Sequence, residues 1–170
     1  MKKHRLIVLI IVLIINTLSC TNSKEKRYIL PENATELLAT TSGKTWKLAW
    51  RYNDGTRMNM AGCFLSYKIT YKSNLTFKDN NGEQENCGDS LIGNWEMVTY
   101  DNGKSYLKWT SNQLPEVMNI KNHYKYFKIL KLDKDTLKLQ YRHKQFSSES
   151  TFVDTFVTDD ILVKDRDFHR

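Results

Sequence analysis

"KTWKLAWRY", residues 44–52, decides the fold. Apolar and polar side chains alternate along it with a period of two. Trp46, Leu48, Trp50 and Tyr52 share one face; Thr45, Lys47, Ala49 and Arg51 share the other. Successive side chains of an extended chain point to opposite sides, so this is a half-buried strand. "NDGT" (53–56) supplies a turn through Asp54-Gly55. The same period returns with Cys63, Leu65, Tyr67, Ile69 and Tyr71 on one parity, kept by Leu75 and Phe77 beyond a break at "KSN" (72–74). "DNNG" (79–82) is a strong turn, and "EQENC" (83–87) leads back toward Cys87.

Downstream the pattern repeats in pairs. "NWEMVTY" (94–100) and "KSYLKW" (104–109), joined by "DNG", form the clearest hairpin. "YKYFKILKL" (124–132) and "TLKLQYR" (136–142) are joined by "DKD". Leu137, Leu139 and Tyr141 alternate with Lys138, Gln140 and Arg142. Phe127 and Ile129 lie on one parity but Leu130 and Leu132 on the other, which implies a bulge or a strand buried on both sides. "TFVDTFV" (151–157) is the last full strand, and "ILVK" (161–164) can add a short one.

Upstream, "PENATELLATTSG" (31–43) reads as one short helix. Asn33 is its N-cap, Glu36 completes a capping box and Gly43 is its stop. Leu37 and Leu38 give it an apolar side, suited to a plug or lid on the strands that follow. About eight sequential strands with short turns, whose apolar faces alternate with lysine-rich ones, predict an all-β fold. The expected form is a small antiparallel up-and-down barrel of about eight strands with one short N-terminal helix; a two-sheet sandwich is the alternative.

The first residues have a different logic. Lys2, Lys3 and Arg5 precede ten apolar residues, Leu6–Ile15, and then Asn16, Thr17, Leu18, Ser19 and Cys20. Ten apolar residues are too few to span a bilayer, which takes about 20. A basic start, a short apolar core and small residues at the end mark a secretory signal peptide over 1–19. Thr17-Leu18-Ser19-Cys20 resembles the bacterial lipobox. The resemblance implies cleavage before Cys20, a diacylglycerol on its sulfur and a fatty acid such as palmitate on its new amine. Two or more acyl chains make stable membrane anchoring. Residues 20–32 then read as a lipid-anchored tether and 33–170 as the barrel domain.

The chain's net charge is +7, and removing Lys2, Lys3 and Arg5 with the leader takes it to +4. That mild excess is a solvated, lysine-spotted surface rather than a nucleic-acid footprint. With Cys20 lipidated, Cys63 and Cys87 remain as an even pair in an exported chain, which favours a disulfide. His123, His143 and His169 show no ligand spacing, so no metal and no cofactor are expected.

"GKTWKLAW" (43–50), "NLTFKDNNGEQENC" (74–87), "GNWEMV" (93–98) and "YFKILKLDKDTLKL" (126–139) together resemble the lipocalin-like lipoproteins of Bacteroidetes. The matching positions are Gly43, Trp46, Phe77, Gly82, Cys87, Gly93, Trp95, Ile129, Leu132, Leu137 and Leu139. The resemblance implies a barrel more than an activity, and the outer membrane of the cell envelope as its place.

No nucleophile motif accompanies a base, so an enzyme is not expected. Asp133, Asp135, Asp159 and Asp160 fall in turns, where aspartate is ordinary. Asp154 shares parity with Phe152 and Phe156; the reading adopted has Val153 and Val157 inward and Asp154 in water, and the alternative points Asp154 into the barrel toward a basic ligand. Trp46, Trp50, Tyr67, Trp95 and Trp109 are the candidate ligand-binding aromatics, with Trp46, Leu48, Trp50, Leu137, Leu139 and Tyr141 as the inward wall. The expected function is that of a monomeric, lipid-anchored envelope protein binding a small apolar or amphipathic ligand. The competing class is an interaction protein with a filled barrel, facing an envelope or toxin protein.

Overall fold

A computed structural model describes residues 28–145 and 148–168. The leader and Cys20 lie outside the described residues. Nine strands are found among these: β1 (Lys44–Asn53), β2 (Thr56–Arg57), β3 (Lys68–Tyr71), β4 (Thr76–Asp79), β5 (Ile92–Thr99), β6 (Ser105–Thr110), β7 (Tyr124–Leu132), β8 (Thr136–Gln145) and β9 (Ser148–Thr158). All pairings between them are antiparallel, each barrel strand beside the next, and β1 also pairs with β9. The ring therefore closes over eight strands, with β2 as a short return at the end of β1. This is the up-and-down barrel expected from the alternation, and closure leaves it without a long free edge.

Among the described residues three single-turn α-helices accompany it, α1 (Ala34–Leu38), α2 (Cys63–Ser66) and α3 (Leu114–Val117), with a 3-10 turn at Asn81–Glu83. Only α1 was expected. Asn33 does precede α1, but its side chain makes no capping hydrogen bond, and the helix ends at Ala39 rather than at Gly43. "CFLS" opens with a helical turn where a strand was expected, so β3 keeps only Lys68–Tyr71. Leu75 is exposed in the β3–β4 turn, and "ILVK" forms no strand.

One end of the barrel is sealed. Trp46 is fully buried there, and its indole N–H donates to the Leu38 carbonyl of α1 at 2.9 Å. Lys44 Nζ donates to the carbonyls of Leu37 (2.6 Å) and Lys134 (2.8 Å). The Tyr28 hydroxyl donates to the Leu132 carbonyl at 2.7 Å and accepts from its N–H at 2.9 Å. The segment before β1 is thus the plug expected from its apolar side. Two glycines are required by close approach. A Cβ on Gly93 would meet the Thr110 carbonyl oxygen at 2.4 Å and the Phe77 ring at 2.9 Å. Gly43 has φ +101°, and a Cβ there would meet Thr70 Cγ2 at 2.7 Å.

Two bulges set which side chains face inward. In β7, Ile129 pairs with Leu139 and Lys131 with Lys138, so Leu130 is the extra residue. That resolves the split parity of "YFKILKL" as a bulge. The second lies in β1, where Leu48 pairs with Phe156 but Trp50 with Thr155. Ala49 is extra, and the parity of everything after it reverses. Arg51 therefore turns inward opposite Asp154, and Trp50, which the alternation places on the inner wall, turns outward. This corrects two expectations together. Asp154 is buried inside the barrel with Phe152 and Phe156, while Val157 is buried on the opposite face of β9.

Candidate functional site

The unsealed end opens into a cavity of about 330 Å³. Its wall is an aromatic girdle running across strands. Trp109 of β6, backed from behind the wall by Phe77 of β4 at 4.7 Å, meets Phe127 of β7 at 4.4 Å. Phe127 meets Tyr141 of β8 edge-on at 5.1 Å, and Tyr141 stacks on Phe152 of β9 at 5.5 Å. Such pairs hold one another's rotamers as well as excluding water. Leu91, Leu139 and Phe156 add apolar surface.

Polar groups interrupt this wall at a few points. Arg51 grips Asp154 bidentately, Nε to Oδ1 and Nη2 to Oδ2, both at 2.6 Å. Their side chains are 15% and 5% exposed. The Tyr141 hydroxyl donates to Asp154 Oδ2 at 3.3 Å. Burial works against the Arg51 charge, but the hydrogen bonds and charge of Asp154 outweigh it and raise the guanidinium above its usual range. Burial and then the Asp154 charge likewise raise the Tyr141 phenol, so it stays protonated. A planar fork matched to a carboxylate is what such a buried pair needs.

Asp79 lines the same cavity from the end of β4. Its Oδ1 accepts from the backbone N–H groups of Asn81 (3.1 Å) and Leu91 (3.0 Å), and Tyr67 lines the cavity with it. His143 enters from β8. Burial first, then the charges of Lys125 and Arg51, hold its imidazole below the ordinary range, so it is neutral at pH 7.

The mouth is built by α2 and α3. Phe64 of α2 lies over the Arg51 guanidinium, 4.7 Å from ring centroid to Cζ. Arg166, from the C-terminal segment, donates through Nη2 to the carbonyls of Leu48 (2.6 Å) and Phe64 (3.0 Å). Val117 and Met118 bring α3 to the rim. The expected Cys63–Cys87 disulfide is present and ties α2 to the β4–β5 connection across 24 residues. Removing both cysteines by alanine substitution will lower stability by about 3.5 kcal/mol through loop-closure entropy. Far-UV circular dichroism will keep its strand signal. Urea unfolding measures the loss, and a change under about 1 kcal/mol would mean that α2 is held by its other contacts.

Of the aromatics expected to bind a ligand, Tyr67 and Trp109 line the cavity. Trp46 belongs to the sealed end. Trp95 is buried against Tyr71 and donates its indole N–H to the Lys72 carbonyl at 3.1 Å. Trp50 lies outside because of the Ala49 bulge. The site residues that sequence reasoning passed over are Arg51, Asp79 and His143, whereas Tyr141 was placed on the inward wall. A buried arginine–aspartate pair 103 residues apart has no local signature, and Asp79 looked like the first residue of a turn. Among the described residues no cluster of three or more metal-binding side chains is found, and no helix is long and apolar enough to cross a membrane.

No family model matches the chain, and no curated protein matches it. Among solved structures, a bovine odorant binding protein, in complex with a selenium-containing odorant, is similar over 81% of this chain and 81% of that one. The identity is 14% and the TM-score 0.36.

Proposed function

We propose that the protein is a lipid-anchored envelope protein whose barrel holds a small apolar or amphipathic molecule in the cavity between α2 and α3. The observation that carries the ligand reading is the cavity itself, an aromatic girdle with a few fixed polar groups at an open barrel mouth. Binding sites are of this kind: concave, largely apolar, and oriented by a small number of polar side chains. An apolar cavity of about 150 Å³ holds a benzene, so this one suits about a dozen non-hydrogen atoms.

Trp109 is the reporter of occupancy. Titrating the protein with apolar compounds of that size will quench its fluorescence to saturation. Trp109→Phe will remove most of the response, and Trp46→Phe will leave it intact because Trp46 sits at the sealed end. A chain that no such compound saturates, but that captures one envelope or toxin protein, would be an interaction protein instead.

Anchoring is supported by the sequence alone, through Leu6–Ile15 and Ser19-Cys20. Residues 28–39 dock on the sealed end. Cys20→Ala will release the protein from the membrane fraction and abolish labelling by a clickable fatty acid. Unchanged labelling would refute lipidation, and with it the membrane placement and the likeness to lipocalin-like lipoproteins of Bacteroidetes at this end of the chain.

A further inference from the structure

We propose that the cavity selects a cationic amphiphile, an organic amine whose protonated nitrogen sits at Asp79 and whose apolar body lies against the aromatic girdle. The inference rests on the small-ligand reading above and adds the charge of the ligand.

A charge inventory of the cavity leads to it. Arg51 and Asp154 are spent on each other, and Tyr141 takes up further capacity of Asp154. That pair is neutral and offers no net attraction to an anion. Asp79 is a second carboxylate, 3% exposed, on the inward parity of Phe77. Its hydrogen-bond partners are two backbone N–H groups, both uncharged. Among the described residues no Lys, Arg or His forms an ion pair with it. Its neighbour Lys78 points outward and pairs with Glu83 at 3.2 Å. Tyr67 and Tyr71 both lie within the field of Asp79, and Tyr67 also feels Arg51 and Asp154. The interior therefore carries one negative charge without a counter-ion.

Two further features agree. His143 Nδ1 is buried and has no hydrogen-bond partner. With the neutral ring protonated at Nε2, that nitrogen is an acceptor that a ligand N–H satisfies. The indole N–H of Trp109 and the Tyr71 hydroxyl near it are also buried without a hydrogen-bond partner, so the wall holds an open donor as well. The girdle is built of Tyr, Trp and Phe rings, the side chains whose π faces attract a cation. Burial raises the Asp79 carboxyl above the usual range, against its backbone hydrogen bonds from Asn81 and Leu91. A carboxyl raised on folding makes its ionised form a cost at neutral pH. That cost is relieved by acid, or by a bound cation.

The test titrates the full-length protein calorimetrically with phenylbutylamine, phenylbutanol and phenylbutyrate, which share a body and differ in charge. At pH 7 the amine will bind about tenfold tighter than the alcohol, or better, and the acid weakest. Asp79→Asn keeps the shape and the acceptor for the backbone N–H groups, so it will bring the amine down to the alcohol and leave the alcohol unchanged. If that variant does not fold, a pH series on the parent serves. The amine's advantage will vanish as pH falls through the Asp79 titration, while the alcohol stays level. Equal binding of amine and alcohol, an acid that binds tightest, or an amine advantage that survives Asp79→Asn or acid pH overturns the charge assignment and leaves the small-ligand reading standing. Failure of all three compounds to bind overturns this inference, and the Trp109 titration then judges the reading beneath it separately.

Discussion

Arg51→Met will unfold about 3–5 kcal/mol more easily than the parent chain. The methionine fills much of the arginine's volume, so little of this loss comes from packing. It comes from Asp154, which is left as a buried carboxylate with only the Tyr141 hydroxyl for company. The companion variant carries Arg51→Met and Asp154→Leu together. It removes both charges from a nearly dry site and will recover most of the loss, because two desolvation costs disappear along with one attraction. Urea unfolding of the parent, both single variants and the double variant closes a double-mutant cycle. A single variant within about 1 kcal/mol of the parent would show that water enters the cavity freely enough to solvate the pair.

Trp46→Ala will cost about 3–5 kcal/mol without touching the cavity. The residue is fully buried between the barrel and α1, and it is the donor for the Leu38 carbonyl. Truncation leaves a void under the plug and an unsatisfied carbonyl. Lys44, 4.3 Å above the indole, loses that ring as well. The loss will appear in the urea midpoint, while the ligand response of Trp109 in the surviving folded fraction stays at the parental affinity. A matched fall in ligand affinity would mean that the sealed end and the mouth are mechanically coupled, contrary to their separation along β1.

These two positions also show where sequence reading succeeds and where it stops. Trp46 was legible as a core residue because the strand before the bulge keeps its period. Arg51 was not, although it stands only five residues further on. The alternation Trp46, Leu48, Trp50, Tyr52 is unbroken in the sequence, so nothing local marks Ala49 as the extra residue. The β7 bulge was legible for the opposite reason, since Ile129 and Leu130 are adjacent and both apolar. An aspartate between two phenylalanines on one parity admitted two readings, and propensity favoured the wet one. The decision lay with a guanidinium arriving from β1.

By itself, the sequence determined the all-β class, the hairpins, the closing plug before β1 and the pairing of Cys63 with Cys87. Each of these rests on local periodicity, turn chemistry or counting, which act over a few residues at a time. Only the tertiary structure decided that Trp50 faces out, that Arg51 and Asp154 meet inside, and that Asp79 and His143 line the same cavity as Tyr67 and Trp109. Those outcomes depend on barrel closure between β1 and β9, where a single unpaired residue reverses the inward parity of the rest of the strand. The physical reason is that a buried charge is tolerable only beside its partner, and that partner is supplied by strand register rather than by sequence proximity.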